Sequence, residues 1–167
     1  PYPRNDGTAN QLAVFVENQQ PSSRWYSGSG IYREVKLLIT DAVPLDLYGI
    51  KIVSPKLKEQ RQSWVETKLE SKVSNDGHQS VSVYMEQSIW YDGQQLSDWQ
   101  ETDSVVIEAG DKHHFQQAIS IFQPLLWDIE SPHLYQLKTR LYKNGILVDE
   151  EEETFGYRYM DWQADKG

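Results

Sequence analysis

Apolar and polar residues alternate along most of the chain after residue 41, which is the pattern of half-buried β-strands. The clearest run is 65–73, where Val, Thr, Leu and Ser alternate with Glu and Lys. Shorter or less regular runs cover 81–89, 105–107, 115–121, 134–142 and 146–159. The alternation therefore predicts strands in each of these ranges.

The same alternation predicts which side chains fill the core. Successive side chains of a strand point to opposite faces of its sheet. We therefore expect Leu69, Val83 and Leu137 to point inward. Glu66 and Lys68 fall on the opposite face of their strand, where we expect them to contact solvent.

Turn-forming residues separate the predicted strands at intervals of about ten positions. The turns are Asn75-Asp76-Gly77, Asp92-Gly93, Ala109-Gly110-Asp111 and Asn144-Gly145. No window of about a dozen residues carries apolar side chains at helical spacing. The pattern predicts an all-β fold, an immunoglobulin-like β-sandwich of about seven strands over residues 41–160.

The first 40 residues predict two further strands, at 11–16 and 31–39, joined by the loop PSSRWYSGSGIYREV at 21–35. Two strands alone do not form a stable unit in water. They resemble the closing end of a larger sheet, and the chain starts at Pro1 without a signal-peptide pattern. We therefore expect a segment of a longer protein, with apolar edges at residues 10–40 that favour self-association.

Charge and composition exclude several classes of partner. The formal net charge is −9 with a sequence pI of about 4.9, and no basic stripe is present, which argues against nucleic acid or anionic lipid as a partner. No apolar run reaches the roughly 20 residues that span a bilayer. The absence of cysteine excludes disulfides and thiolate metal sites and favours no compartment, whether cytoplasmic, cell-surface or secreted.

The ionisable residues predict no catalytic or metal centre and no cofactor. His113 and His114 are adjacent, so on a strand they point to opposite faces and cannot chelate one ion. The acidic run 149–153 would place carboxylates on both faces of a strand, which fits a charged edge strand better than a calcium site. Neither a nucleophile elbow nor a phosphate loop is present.

Aromatic residues are the other candidates for binding. Trp127 follows two leucines and is predicted to lie in the core. Trp90, Tyr91 and Trp99 flank a predicted hairpin, where exposed rings could stack on a sugar or pack as ordinary sandwich side chains.

The loop at 21–35 has two interpretations. In the first, Arg24 donates paired hydrogen bonds to neighbouring hydroxyls of a sugar while Trp25 or Tyr26 walls the ring. In the second, the glycines at 28 and 30 only turn the chain, and Trp25 and Tyr32 pack inside. The residues alone leave both interpretations open.

Several stretches resemble glycoside hydrolase family 2. NQLAVFVENQQPSSRWYSGSGIYREVKLLITD is similar to the family's junction between its sugar-binding jelly roll and its immunoglobulin-like domain, N-x-L-A-V-x-V followed by S-R-W-Y-x-G-x-G-I-Y-R-x-V. Trp127, Pro132, Leu134 and Tyr135 match W…P-x-L-Y, and VDEEEETFGYR resembles V-D…F-G-F-R. The resemblance implies a jelly-roll end at 1–40, an immunoglobulin-like domain at 41–160, and the start of a linker to a (β/α)8 catalytic barrel at 161–167.

The resemblance also implies a function. The family's two catalytic glutamates lie on the barrel, and the acid/base follows an asparagine, whereas this chain contains no Asn-Glu dipeptide. The Ser-Arg-Trp-Tyr form of the loop is similar to the β-galactosidase branch rather than to β-glucuronidases. We therefore expect a non-catalytic domain of a retaining β-galactosidase, inactive alone, that supports the barrel and contacts the jelly-roll domain.

In that parent enzyme the loop would reach the galactose subsite. The residues implied as sugar contacts are Ser23, Arg24, Trp25 and Tyr26. The alternative is a free-standing immunoglobulin-like binding module of a bacterial surface protein. A barrel encoded directly after residue 167 would distinguish the two.

Overall fold

A computed structural model of the chain describes residues 6–17 and 30–161. The chain divides into two units, residues 1–38 and 39–167. All the regular secondary structure of the described residues lies in the second unit.

The second unit contains nine strands and a single helical turn within the described residues. The strands are β1 (Leu45–Val53), β2 (Trp64–Ser74), β3 (Val81–Tyr91), β4 (Gln94–Gln95), β5 (Gln100–Glu101), β6 (Val105–Ile107), β7 (Lys112–Phe122), β8 (Tyr135–Lys143) and β9 (Ile146–Phe155). The helical turn α1 spans Leu57–Gln60, between β1 and β2.

The strands form two antiparallel sheets. The first has the order β1-β2-β7, and the second has the order β4-β3-β8-β9, with β5 and β6 also pairing with β3. Side chains from both sheets share the same buried clusters, so the sheets face each other as a sandwich. The predicted all-β sandwich is confirmed, and the finer assignment as immunoglobulin-like stays a prediction.

The core consists of two apolar clusters with a polar layer between them. One cluster includes Val65, Leu69, Ile89, Ile119 and Leu137, and the other includes Val73, Val83, Met85, Phe115 and Leu141. Gln87 Nε2 donates hydrogen bonds of 3.0 Å to Ser71 Oγ and to Thr139 Oγ1. Along its strand, each of these three residues lies between a residue of one cluster and a residue of the other. The bond from Gln87 on β3 to Ser71 on β2 joins the two sheets, and the bond to Thr139 on β8 stays within one sheet.

The predicted strand faces are confirmed. Leu69, Val83 and Leu137 are at most 1% exposed. The side chains of Glu66 and Lys68 are 44% and 56% exposed on the opposite face of β2.

Two of the four predicted turns are confirmed as tight hairpin turns. Asp92 and Gly93 have φ of 48° and 74° between β3 and β4. Asn144 and Gly145 have φ of 50° and 78° between β8 and β9. Two successive left-handed residues match the right-handed twist of the flanking strands, which explains why these dipeptides close the hairpins.

The two strands predicted at 11–16 and 31–39 are not formed. Both segments lie outside every strand of the described chain. A strand needs a hydrogen-bonded neighbour, and no described strand pairs with either segment. Their apolar side chains are exposed, with 87% of Phe15, 87% of Tyr32 and 86% of Leu37 open to solvent. The assignment of this region to a jelly roll stays a prediction.

Candidate functional site

The four residues predicted to contact sugar lie outside the described part of the chain. Ser23, Arg24, Trp25 and Tyr26 fall in 18–29, so their role stays a prediction. The alternative interpretation is wrong for Tyr32, which is 87% exposed and lies beside the Arg33 guanidinium, 5.4 Å from the ring centroid, rather than inside.

The clearest constellation among the described residues lies at one end of the sandwich. The Trp127 N–H donates to the Tyr157 carbonyl oxygen at 2.8 Å, and Leu126 forms a parallel bridge with Tyr157. Trp127 also forms an antiparallel bridge with Pro132. The bonds join the W…P-x-L-Y segment to the F-G-Y-R segment. We call the joined residues Trp127, Tyr135, Gly156, Tyr157 and Arg158 the exit end, because the chain leaves β9 there.

Gly156 and Arg158 hold the indole ring of Trp127. A Cβ atom at Gly156 would lie 2.9 Å from Trp127 Cβ and 3.2 Å from its Cγ, so a larger residue could not keep this contact. The Arg158 guanidinium carbon lies 4.8 Å from the ring centroid. The prediction that Trp127 is a core residue is wrong: it is half-buried, because a glycine and a guanidinium cover it instead of core side chains.

Two tyrosines anchor the exit end to the core. The Tyr157 hydroxyl is 2.9 Å from Thr67 Oγ1, and the ring is 1% exposed. Tyr135 accepts a 2.8 Å hydrogen bond from the Leu125 N–H, and its ring meets that of Tyr157 edge-on at 4.8 Å. Burial raises the pKa of both hydroxyls, so both stay protonated and able to donate.

The segment beyond β9 contacts α1. Lys58 forms an ion pair with Asp161, and this contact raises the pKa of Lys58. The Arg61 guanidinium lies 5.8 Å from the centroid of the Tyr159 ring. Neighbouring apolar side chains remain open, with 89% of Ile129 and 62% of Met160 exposed. These contacts hold the described residues after β9 against α1, and exposed apolar side chains lie beside them.

Trp90 and Trp99, for which sugar stacking and ordinary packing were both left open, each lie beside a cation. Lys138 Nζ lies 4.5 Å from the Trp90 ring centroid, and the Arg140 guanidinium carbon lies 4.2 Å from that of Trp99. Both cations also pair with carboxylates, Lys138 with Glu152 and Arg140 with Glu150. One face of each ring is therefore occupied within the protein. The sugar-stacking role of these rings stays a prediction.

The acidic run forms the edge strand β9 with carboxylates on both faces, as predicted. Glu151 lies opposite Thr139, which is buried, so Glu151 points to the inner face. Burial, followed by the charges of Asp149 and Glu153, raises the pKa of Glu151 to about 7. Within residues 6–17 and 30–161, no group of three His, Cys, Asp or Glu side chains could hold a metal ion. No helix there is long and apolar enough to cross a bilayer.

The sequence identified both motifs of the exit end but did not predict that they contact each other. It also did not predict the roles of Gly156, Lys58 and Arg61 there. The only available signal was the glycine inside a strand-like run, which often marks a close approach of another group.

Comparison with known proteins identifies the class. The family model for Glycosyl hydrolases family 2 matches residues 50–158, and the chain belongs to this family. It is 32% identical over 160 residues to the β-galactosidase BoGH2A of Bacteroides ovatus, covering 95% of this chain and 18% of that protein. It is 31% identical over 144 residues to a β-glucuronidase of Bacteroides fragilis, covering 83% of this chain and 20% of that protein.

A solved structure supports the same conclusion. A glycosyl hydrolase family 2 member from Bacteroides cellulosilyticus matches with a TM-score of 0.80 and 28% identity, over 91% of this chain and 20% of that one. The chain therefore spans about a fifth of the length of the relatives that it matches.

Proposed function

We propose that the chain is a non-catalytic, immunoglobulin-like domain of a retaining β-galactosidase of family 2. Its task is to hold the catalytic barrel against the jelly-roll domain and to lend the loop at 21–35 to the galactose subsite. The observation that carries the proposal is the 32% identity to a β-galactosidase across nearly the whole chain. The match covers less than a fifth of that enzyme's length, as expected for one of its domains.

The exit end supports the structural part of this proposal. A domain that positions a barrel needs a connecting segment held in one direction and an apolar surface for the barrel to cover. Two contacts hold the residues after β9: the Arg158 guanidinium packs on the Trp127 ring, and Asp161 forms an ion pair with Lys58. Ile129 and Met160 supply exposed apolar surface next to it.

Retaining hydrolysis needs two carboxyl groups about 5–5.5 Å apart, one as acid/base and one as nucleophile. In this proposal both belong to the barrel. Three acids of β9 have other contacts: Glu150 and Glu152 pair with cations, and Asp149 accepts a 3.0 Å hydrogen bond from the Leu45 N–H.

The choice of substrate is tested on the full-length parent. Its kcat/KM is measured on nitrophenyl β-galactoside and on nitrophenyl β-glucuronide. We expect strong preference for the galactoside. A preference for the glucuronide would assign the parent to the branch of the Bacteroides fragilis relative and would overturn the galactose subsite, while leaving the family intact.

A further inference from the structure

The two sheets have four edges among the described residues, formed by β1, by β7, by β9, and by the short strands β4, β5 and β6. The three edges formed by long strands differ in how they are protected against pairing with another strand. β9 carries five consecutive acids and a register shift near Leu141, and β1 carries a register shift between Leu45 and Ile50. Charges and bulges are the usual devices that block an edge. β7 has neither: its pairing with β2 is regular over eleven residues, and it contains no Asp, Glu, Lys, Arg or Pro after Lys112.

A groove of about 400 Å³ runs along this unprotected edge. Residues 113–117 of β7 form one wall. The second wall is formed by Glu101 of β5, Val105 of β6, and Thr102 and Asp103 between these strands. No described strand pairs with the side of β7 that faces away from β2, and we call this open side of β7 the vacant position.

Gln117 lines the groove and carries a buried acceptor that has no donor in the described part of the chain. Gln117 Nε2 donates to the Gln100 carbonyl oxygen at 3.2 Å, whereas Gln117 Oε1 is buried and accepts no hydrogen bond among the described residues. A buried polar atom left unpaired is costly, so native structures normally supply it with a partner. A donor in the vacant position would satisfy this oxygen.

The charge of the groove indicates what kind of donor fits. Glu101 and Asp103 line it, both are exposed, and neither pairs with a basic side chain in the part of the chain that the structure describes. Val105 and Phe115 supply apolar surface between them. A strand that alternates apolar and basic side chains would match both features.

A second copy of the chain matches this edge less well than a basic peptide. Antiparallel pairing of two β7 strands about a two-fold axis would place both sandwiches on the same side of the joined sheet. The exposed carboxylates of Glu101 and Asp103 of the two copies would then lie in the same layer, where like charges repel each other.

We infer that β7 is a docking edge for an extended, basic peptide segment, which adds a fourth strand to the β1-β2-β7 sheet and supplies a donor to Gln117 Oε1. Backbone hydrogen bonds to β7 give the affinity, and Glu101 and Asp103 select basic side chains. The inference does not depend on the substrate or activity of the parent enzyme.

The test measures the fluorescence anisotropy of labelled peptides titrated with the 167-residue chain. The probes are a short peptide of alternating lysine and valine, its counterpart with glutamate in place of lysine, and the lysine peptide N-methylated at alternate amides. We expect saturable binding of the first alone. Equal binding of the glutamate peptide, or full binding of an N-methylated peptide, would overturn the inference, and so would the absence of any binding.

Charge reversal locates the site. Glu101→Lys combined with Asp103→Lys should weaken binding of the lysine peptide about tenfold and create binding of the glutamate peptide. Asp76→Lys combined with Glu130→Lys makes the same change in net charge at exposed positions away from the groove and should leave binding unchanged. An equal loss in both double variants would mean that the peptide binds only through overall charge. Concentration-dependent protection of β7 amides from hydrogen exchange without peptide would place a second copy in the groove instead.

Discussion

Trp127 donates its backbone N–H to the carbonyl oxygen of Tyr157 at 2.8 Å, joining the loop before β8 to the residues just after β9. The two bonded residues are 30 positions apart in the chain. The hairpin β8–β9 between them brings their segments side by side. Because Tyr157 is also bound to Thr67 on β2, the exit end is tied to both sheets. Disturbing it should affect stability as well as the direction of the departing chain.

Gly156→Ala should destabilise the domain. The added Cβ would lie 2.9 Å from Trp127 Cβ, so either the indole or the backbone must shift. Overpacking of this kind costs about 1–3 kcal/mol. Urea unfolding followed by tryptophan fluorescence measures the loss.

The matched comparison uses the Trp127→Ala background. Without the indole, Gly156→Ala should lower the free energy of unfolding much less. The double-mutant cycle should therefore show a coupling energy of about 1 kcal/mol or more between the two substitutions. Additive effects of the two substitutions would mean that the close contact does not constrain the exit end.

Glu151 should make stability depend on pH. Its pKa in the folded chain is about 7, against an ordinary 4.5, because burial and the charges of Asp149 and Glu153 oppose ionisation. Between these values the folded chain binds more protons than the unfolded chain, so the free energy of unfolding falls as pH rises from about 4.5 to 7. The carboxylate is partly exposed, and after screening by solvent we expect a loss of about 1 kcal/mol.

Glu151→Gln should remove this loss. The variant should match the original chain at pH 4 and exceed its stability at pH 8, in urea titrations at both values. Glu152→Gln, on the opposite face and paired with Lys138, is the control and should show no such gain at pH 8. If both variants gain equally at pH 8, the effect comes from net charge and not from the position of Glu151.

In the parent enzyme, Arg24→Ala should weaken the use of galactosides. A guanidinium bound to sugar hydroxyls contributes about 1.5–3 kcal/mol, which corresponds to roughly ten- to a hundredfold in kcat/KM. The thermal unfolding midpoint should stay unchanged, since the expected role is contact with substrate. Unchanged kinetics in the variant would mean that the loop at 21–35 only connects its flanking segments and does not contact the substrate.

We expect the 167-residue chain to self-associate through residues 10–40. Phe15 and Leu37 there are 87% and 86% exposed, and apolar surface of this kind favours association. Light scattering on Phe15→Ser/Leu37→Ser should show a smaller mass than the original chain. Leu47→Ser/Val106→Ser, at two other positions that are each 67% exposed, should not change the mass. A monomer at all concentrations in the original chain would contradict this expectation.

The sequence pattern predicted strands best where alternation is unbroken. β2 was predicted correctly because Glu and Lys on its outer face alternate with Val, Thr, Leu and Ser on its inner face. β3 was predicted correctly from Val81, Val83, Met85 and Ile89, although its other face carries only one charged residue, Glu86. No strand was assigned individually at β1, since Tyr48 has φ of 57° and the register shifts between Leu45 and Ile50, which breaks the period of two.

The site was less predictable for a physical reason. Alternation specifies which face a side chain occupies but not which distant segment lies beside it. The meeting of Trp127 with Tyr157 depends on the hairpin between them, and the half-burial of Trp127 depends on Gly156 and Arg158. The segments at 11–16 and 31–39 have the composition of strands but form none, because composition does not supply a partner strand.

The central claim is that this chain is a domain of a glycosidase and does not itself catalyse. The most direct test compares initial rates on nitrophenyl β-galactoside for the purified 167-residue chain and for the full-length parent at equal molar concentration. We predict hydrolysis by the parent and no release above buffer by the chain alone, because the proposed function assigns both required carboxyl groups to a catalytic barrel of the parent. Turnover by the chain that disappears when one of its own carboxylates is substituted would contradict the account.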